Sequence, residues 1–182
     1  MASPRFFVGI DLGTTNTGVA YCEITDNLEQ SEVSLFDIDQ LIGPGEVVRK
    51  PLLPSFRYHP AVGQISPSDL TLPWDNEPVA GDINNVIVGE WARELGAKVE
   101  GRQVSSAKSW LSHQAVDRNS DILPWAGAQD VDKVSPVIAS ASYLNHIRQA
   151  WNYRHPSNKL EDQDVVVTVP ASFDETARKL TL

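Results

Sequence analysis

Disulfide chemistry is ruled out by cysteine content: the 182 residues include one cysteine, Cys22, so no intramolecular bridge can form, and a reducing compartment suits the chain. The four histidines, His59, His113, His146 and His155, show no metal-ligand spacing with one another or with Cys22. Basic residues are also scarce. Fifteen Lys and Arg stand against 24 Asp and Glu, a net charge of -9, which argues against non-specific binding to nucleic acid or to an anionic membrane. It does not argue against phosphate recognition, which is local. No run approaches the ~18 apolar residues of a transmembrane helix. The opening M-A-S-P-R runs straight into a strand pattern and lacks a signal-peptide layout. Internal repeats and low-complexity tracts are missing too. These absences lead to the expectation of a cytoplasmic protein with no membrane and no nucleic-acid partner. With 41% hydrophobic and 21% charged residues, the chain can build a packed core of one or two small domains.

The most informative stretch is Phe6 to Ala20, F-F-V-G-I-D-L-G-T-T-N-T-G-V-A. Phe6–Ile10 and Val19–Ile24 read as strands, with Gly13–Asn16 as the tight turn between them. Glycines at 9, 13 and 18 suggest a backbone that is bent or closely approached. Asp11 ends the first strand, and its carboxylate is placed to manage a hydrated cation. Gly13, Thr14, Thr15 and Asn16 offer backbone N–H groups, and the threonines add two hydroxyls. Such a concavity suits phosphate oxygens, with Mg²⁺ linked to the carboxylate through water. Read alone, the same residues also make an ordinary hairpin with a hydrogen-bonding aspartate.

Further along, Glu32–Ile38 alternates loosely, as a third antiparallel strand would. Val47–Arg49 and Ser55–Tyr58 read as short strands, and 60–78 as a long surface loop or an inserted hairpin, with Trp74 pinning it to the body. Val86–Gly89 predicts a short strand, followed by a helix with Trp91, Ala92 and Leu95 on one face. Val104–Leu111 predicts a second short helix, and 116–132 is irregular. Ser135, followed by Pro136 at the first helical position, starts the clearest helix, through Trp151. Val137, Ile138, Ala141, Leu144, Ile147 and Trp151 are its expected buried face. Asp164–Val169 is a nearly all-apolar strand, which suits a central parallel strand buried on both faces. Pro170 ends it, and a helix begins near Asp174, with Ser172 and Glu175 spaced as a capping box. The order predicts an α/β mixed sheet with helices and an inserted smaller subdomain. Residues 1–42 and 133–182 would form the core subdomain and 43–132 the insert.

Two segments together, G-I-D-L-G-T-T-N and D-V-V-V-T-V-P-A-S-F-D-E-T-A-R (Asp164–Arg178), resemble the 70-kilodalton heat-shock chaperone family. L-L-P-S-F (Leu52–Phe56), V-I-V-G-E-W-A (Val86–Ala92) and S-S-A-K-S-W-L (Ser105–Leu111) occur between them in that family's order. The resemblance implies the first lobe of an actin-like, ribonuclease H-like ATPase domain, and a parent that hydrolyses ATP to drive polypeptide binding and release in folding. It implies ATP or ADP with Mg²⁺, and K⁺, as cofactors, and unfolded polypeptides and co-chaperones as partners. Asp11 would hold the metal-bound water, and Gly13, Thr14, Thr15 and Asn16 the phosphates. Lys108, a solvated surface lysine if read alone, stands where the family keeps its catalytic lysine. Pro170 and Arg178, otherwise a strand stop and a solvated helix residue, match its relay pair.

Departures from the pattern are Ser109 in place of an arginine, Ser172 in place of an aromatic residue, and a longer loop at 60–78. Because the second phosphate motif and the adenosine segment would follow Leu182, the expectation is an N-terminal fragment that binds ATP weakly or not at all and turns over negligibly. Lacking a further strand, its Val165–Val169 segment would expose an apolar edge. Two alternatives remain open on the first motif: a small-molecule (sugar) kinase of the same superfamily, and an actin-like module that binds nucleotide or a partner without hydrolysis.

Overall fold

The computed structural model describes residues 3–26, 31–113, 115–169 and 173–181. Pro170 and Ser172, and with them the predicted relay proline and half of the predicted capping box, lie outside the described residues. The architecture is mixed α/β, built on several sheets.

The main sheet starts from β1 (Phe6–Leu12), whose side chains alternate strictly: Phe6, Val8, Ile10 and Leu12 are buried, and the residues between them are exposed. That period-two pattern marks a strand with one face on the core. The tight turn returns the chain as β2 (Asn16–Glu23), antiparallel in a register that sets Asp11 opposite Gly18. β3 is shorter than expected, only Ser34–Leu35, and lies antiparallel to β2. Ile38 does not extend it. It opens β4 (Ile38–Gly43), which pairs instead with β5 (Glu46–Lys50) as a separate ribbon. β6 (Leu52–Pro54) then pairs with the start of β2, setting Leu53 against Thr17. A third sheet has β7 (Phe56–Tyr58) in the middle, between β8 (Ile87–Val88) and β9 (Gln103–Ser105). Between β7 and β8 the chain runs as the expected long loop, with one 3-10 turn at Pro67–Leu70. Trp74 does pin it, packing against the main core edge-to-face with His146 at 5.4 Å between ring centres.

Helix α1 (Glu90–Lys98) follows β8 as predicted, with Trp91 and Ala92 buried. The predicted helix over Val104–Leu111 needs correction. Val104 and Ser105 belong to β9, and α2 spans only Ala107–Leu111. Pairing with β7 captures Val104 as a strand residue, buried in the main core.

The long helix α3 (Pro136–Arg154) is capped as its sequence requires: the Ser135 hydroxyl accepts the Ile138 N–H at 3.1 Å. Its buried face is rotated from the expected one. Ala139, Ser140, Ser142, Tyr143, His146, Gln149 and Ala150 join Ile147 and Trp151 inside, while Val137, Ile138, Ala141 and Leu144 are only half-buried. Two polar members of that face find partners far along the chain. The neutral His146 ring bonds the Asp39 carbonyl through Nε2 at 2.9 Å, and Gln149 grips both backbone groups of Glu77.

β10 (Asp164–Thr168) is parallel to β1, as expected, in a register that places Thr168 beside Asp11. It is not buried on both faces. Among the described residues it is the edge strand of the sheet, Val166 is 65% exposed, and only Val167 packs on the core. α4 (Glu175–Thr181) closes the chain. Its cap is Asp174, whose Oδ1 accepts the Ala177 N–H at 2.7 Å. A small apolar core of Leu111, Phe173 and Ala177 joins α2, α3 and α4 at the end of the sheet where Asp11 lies.

Candidate functional site

The turn between β1 and β2 owes its shape to Gly13. A Cβ there would stand 2.0 Å from the Asn16 carbonyl oxygen, closer than any side chain allows. Thr14 and Thr15 are exposed at the tip, and Thr17 at its base is fully buried. The L-L-P-S-F segment braces this turn. The Ser55 N–H donates to the Thr15 carbonyl at 2.8 Å, its hydroxyl donates to the Gly13 carbonyl at 2.8 Å, and the same oxygen lies 3.0 Å from the Thr17 hydroxyl. The carbonyls of Gly13 and Thr15 are thereby held from below, leaving the two threonine side chains outside.

Asp11 is exposed on the outer face of β1. The parallel register of β10 brings Thr168 to its side, and the Thr168 hydroxyl donates to Asp11 Oδ1 at 2.7 Å. Oδ2 makes no hydrogen bond among the described residues. One carboxylate oxygen fixed by a neighbour and one left open suit a hydrated Mg²⁺ held through its waters, since Mg²⁺ sheds water reluctantly. Among the described residues no cluster of three or more His, Cys, Asp or Glu forms a direct metal site.

Lys108 enters from α2. Ser106, just before that helix, adopts a left-handed backbone (φ 56°). The Lys108 residue is only 5% exposed, and its ammonium makes no ion pair or hydrogen bond among the described residues. It lies 5.8 Å from the centre of the Phe173 ring, within cation–π range. Burial pushes its pKa below the ordinary lysine value, while the Asp11 carboxylate, near enough to be felt, pulls it back up. Lys108 and Asp11, distant in sequence, are thus near enough to interact, and Asp11 leads directly into the Thr14–Thr15 turn.

Arg178 sits on α4, exposed, in the last turns of the chain. A different arginine reaches this region. Arg118, from the irregular 116–132 segment, makes a two-point ion pair with Asp174, through Nη1 at 2.9 Å and Nη2 at 2.6 Å. That bond, together with the Ala177 N–H, holds the Asp174 carboxyl down to about 2. The 116–132 segment is therefore tied to the cap of α4.

Sequence reasoning did not single out Ser55, Thr168, Phe173 or Arg118. Ser55, Thr168 and Phe173 all lie inside segments quoted for their motifs, but their roles depend on register and on backbone carbonyls, which no spacing reveals. Arg118 carries no signal at all in an irregular stretch.

Cavities of about 470 and 450 Å³ lie elsewhere, and neither is lined by Asp11, Thr14, Thr15 or Lys108. Thr14 and Thr15 face solvent at the tip of the turn. No helix among the described residues is long and apolar enough to cross a membrane. Comparison with protein-family models and with curated proteins finds no match.

Proposed function

We propose that this chain is the first lobe of an actin-like ATPase of the 70-kilodalton heat-shock chaperone type, and that its turn at Gly13–Asn16 binds the phosphates of ATP. The observation that carries the reading is Lys108: a residue only 5% exposed, whose ammonium has no ion pair or hydrogen bond among the described residues and feels the Asp11 carboxylate that leads into the turn of exposed threonines. A cation on a largely buried residue normally has a close counter-charge. A triphosphate would provide one, and the open Asp11 oxygen would hold the magnesium water shell on its other side.

In this reading Thr14 and Thr15 orient the phosphate chain through hydroxyls and backbone N–H groups, and Ser55 keeps their backbone in place. Lys108 offsets the charge that develops on the transferred group and orients the attacking water. Bound Mg²⁺ supplies charge neutralisation of the phosphate oxygens. Phe173 limits where the ammonium can move. The site is open because a second lobe would complete it, and the parent would use hydrolysis to drive polypeptide binding and release.

The test uses the protein that carries this lobe together with the second one. Lys108→Ala lowers kcat by about a hundredfold or more and leaves ATP affinity within a few-fold, the pattern of an interaction made in the transition state. Hydrolysis unchanged by the substitution contradicts the reading. Stimulation of turnover by unfolded polypeptide supports the chaperone assignment, and stimulation by a sugar instead overturns it in favour of a kinase.

A further inference from the structure

A second cavity, remote from the phosphate turn, has the features of a ligand site. It holds about 470 Å³ between α3, β8 and the long loop after β7, within the range of small-molecule pockets. Its floor includes His146 and Ser142, both more than nine-tenths buried. Its walls include Leu41 and Ile87, and Asn84 and Asn85 stand exposed at its mouth.

The floor presents hydrogen-bond acceptors. His146 Nε2 faces the Asp39 carbonyl at 2.9 Å and must carry the proton there. Burial lowers the pKa of the ring, against a smaller upward pull from the Asp39 carbonyl and carboxylate, so the ring is neutral and Nδ1 is a bare lone pair. Nδ1 makes no hydrogen bond among the described residues, and it is not one of the fully occluded unpartnered atoms. The Ser142 hydroxyl spends its proton on the Ala139 carbonyl at 2.7 Å, so it too can only accept from a ligand. At the mouth, the side chains of Asn84 and Asn85 make no hydrogen bond among the described residues.

Charge is absent from this cavity in effect. Asp82 is the one charged residue among those lining it, and its carboxylate is taken by both terminal nitrogens of the fully buried Arg57. Arg57 Nε in turn donates to His59 Nε2 at 2.8 Å, and the opposite nitrogen of that ring meets the Asp132 carbonyl. The roof is fixed rather than loose: Glu77 on the loop is bonded at its N–H and its carbonyl by Gln149, and again at its carbonyl by Asn145, both on α3.

We propose that this cavity binds a small uncharged molecule with a flat apolar body and an N–H or O–H donor at one end, the donor directed at His146 Nδ1. An anion would meet two bare acceptors on the floor. A cation would have only a carboxylate already neutralised by Arg57. Neither is favoured, so selectivity is for neutral ligands.

Benzamide and benzoate are matched probes, equal in shape and different in charge and in donor capacity. On the ¹⁵N-labelled 182-residue chain, benzamide is expected to give saturable shifts at Ile87, Val88, Ser142 and His146, with Thr14 and Thr15 unmoved. Benzoate at the same concentration is expected to give none. His146→Phe should weaken benzamide binding about tenfold or more, as loss of the acceptor that takes the ligand's donor would. If that variant fails to fold, Asn84→Trp at the exposed mouth plugs the entrance and should have the same effect. No saturable shift with benzamide, shifts located elsewhere, an equal response to benzoate, or binding that survives the substitution that folds would each overturn the proposal.

Discussion

Ser55 illustrates how one side chain supports a site it does not line. Its hydroxyl and N–H hold the carbonyls of Gly13 and Thr15 from inside the protein. Ser55→Ala removes the bond to Gly13 and leaves the fully buried Thr17 hydroxyl without its partner. The expected loss of stability is about 1–2 kcal/mol, read by denaturant titration, with the amide signals of Thr14 and Thr15 shifted. A substitution that left both unchanged would show that the turn holds itself. Thr168 is different because it is exposed and its hydroxyl bonds only Asp11 among the described residues. Thr168→Val keeps the shape, so stability should change by no more than about 0.5 kcal/mol, while Mg²⁺-dependent polyphosphate binding weakens a few-fold. Equal binding by the variant would mean that Asp11 needs no orientation.

At the scale of elements, the join between the 116–132 segment and α4 is electrostatic. Asp174 is paired with Arg118 and caps the helix, and its carboxyl is held to about 2 against an ordinary value of 3.8. A carboxyl depressed in the folded state adds stability that is complete above its unfolded value and disappears as pH falls through the folded one. Acid should therefore loosen α4 between about pH 4 and pH 2. Asp174→Asn should remove that part of the pH dependence, which amide exchange at Ala177 and Arg178 would detect. A pH profile unchanged in the variant would place the acid sensitivity elsewhere.

The hairpin of β1 and β2 was legible because its alternation is strict and its turn residues have one geometry. α3 was legible at its start, where Ser135 and Pro136 supply cap and first turn, but not in its facing. Half of its buried side is polar, and His146 and Gln149 are inside because Asp39 and Glu77, far along the chain, supply their partners. β9 was missed because three residues, Gln103–Ser105, have no periodicity to read. They are a strand only through pairing with β7. The candidate site was legible as residue types in motifs: Asp11 leads into the turn of Thr14 and Thr15, and Lys108 is near enough to Asp11 to feel its charge. The contacts that fix them, from Ser55, Thr168 and Phe173, depend on strand register and a small core, which are tertiary facts.

Over the whole molecule, two larger apolar cores divide the labour. One lies under the main sheet, built on α3 and centred on the fully buried Trp151. The other joins α1 to the sheet of β7 and β8. The sequence of β10 records a capacity to be covered, not the covering itself. With Val165 and Val166 exposed on the edge of the sheet, it is a template for strand pairing. The 182-residue chain should self-associate with rising concentration, and Val166→Lys should suppress this without unfolding it, as sedimentation velocity would report. Monomeric behaviour of the unsubstituted chain at high concentration would contradict that expectation.

The account as a whole depends on the turn at Gly13–Asn16 and the Lys108 ammonium gripping one polyphosphate. The most direct measurement is a titration of the ¹⁵N-labelled chain with Mg²⁺–ATP, following the amides of Thr14 and Thr15 and the side-chain nitrogen of Lys108. The prediction is that all three move together with a single weak, millimolar-range constant, and that in Lys108→Ala the two threonine responses persist with a constant within a few-fold of the original. A turn that stays silent throughout the titration, or a lysine signal that does not move with it, would contradict it.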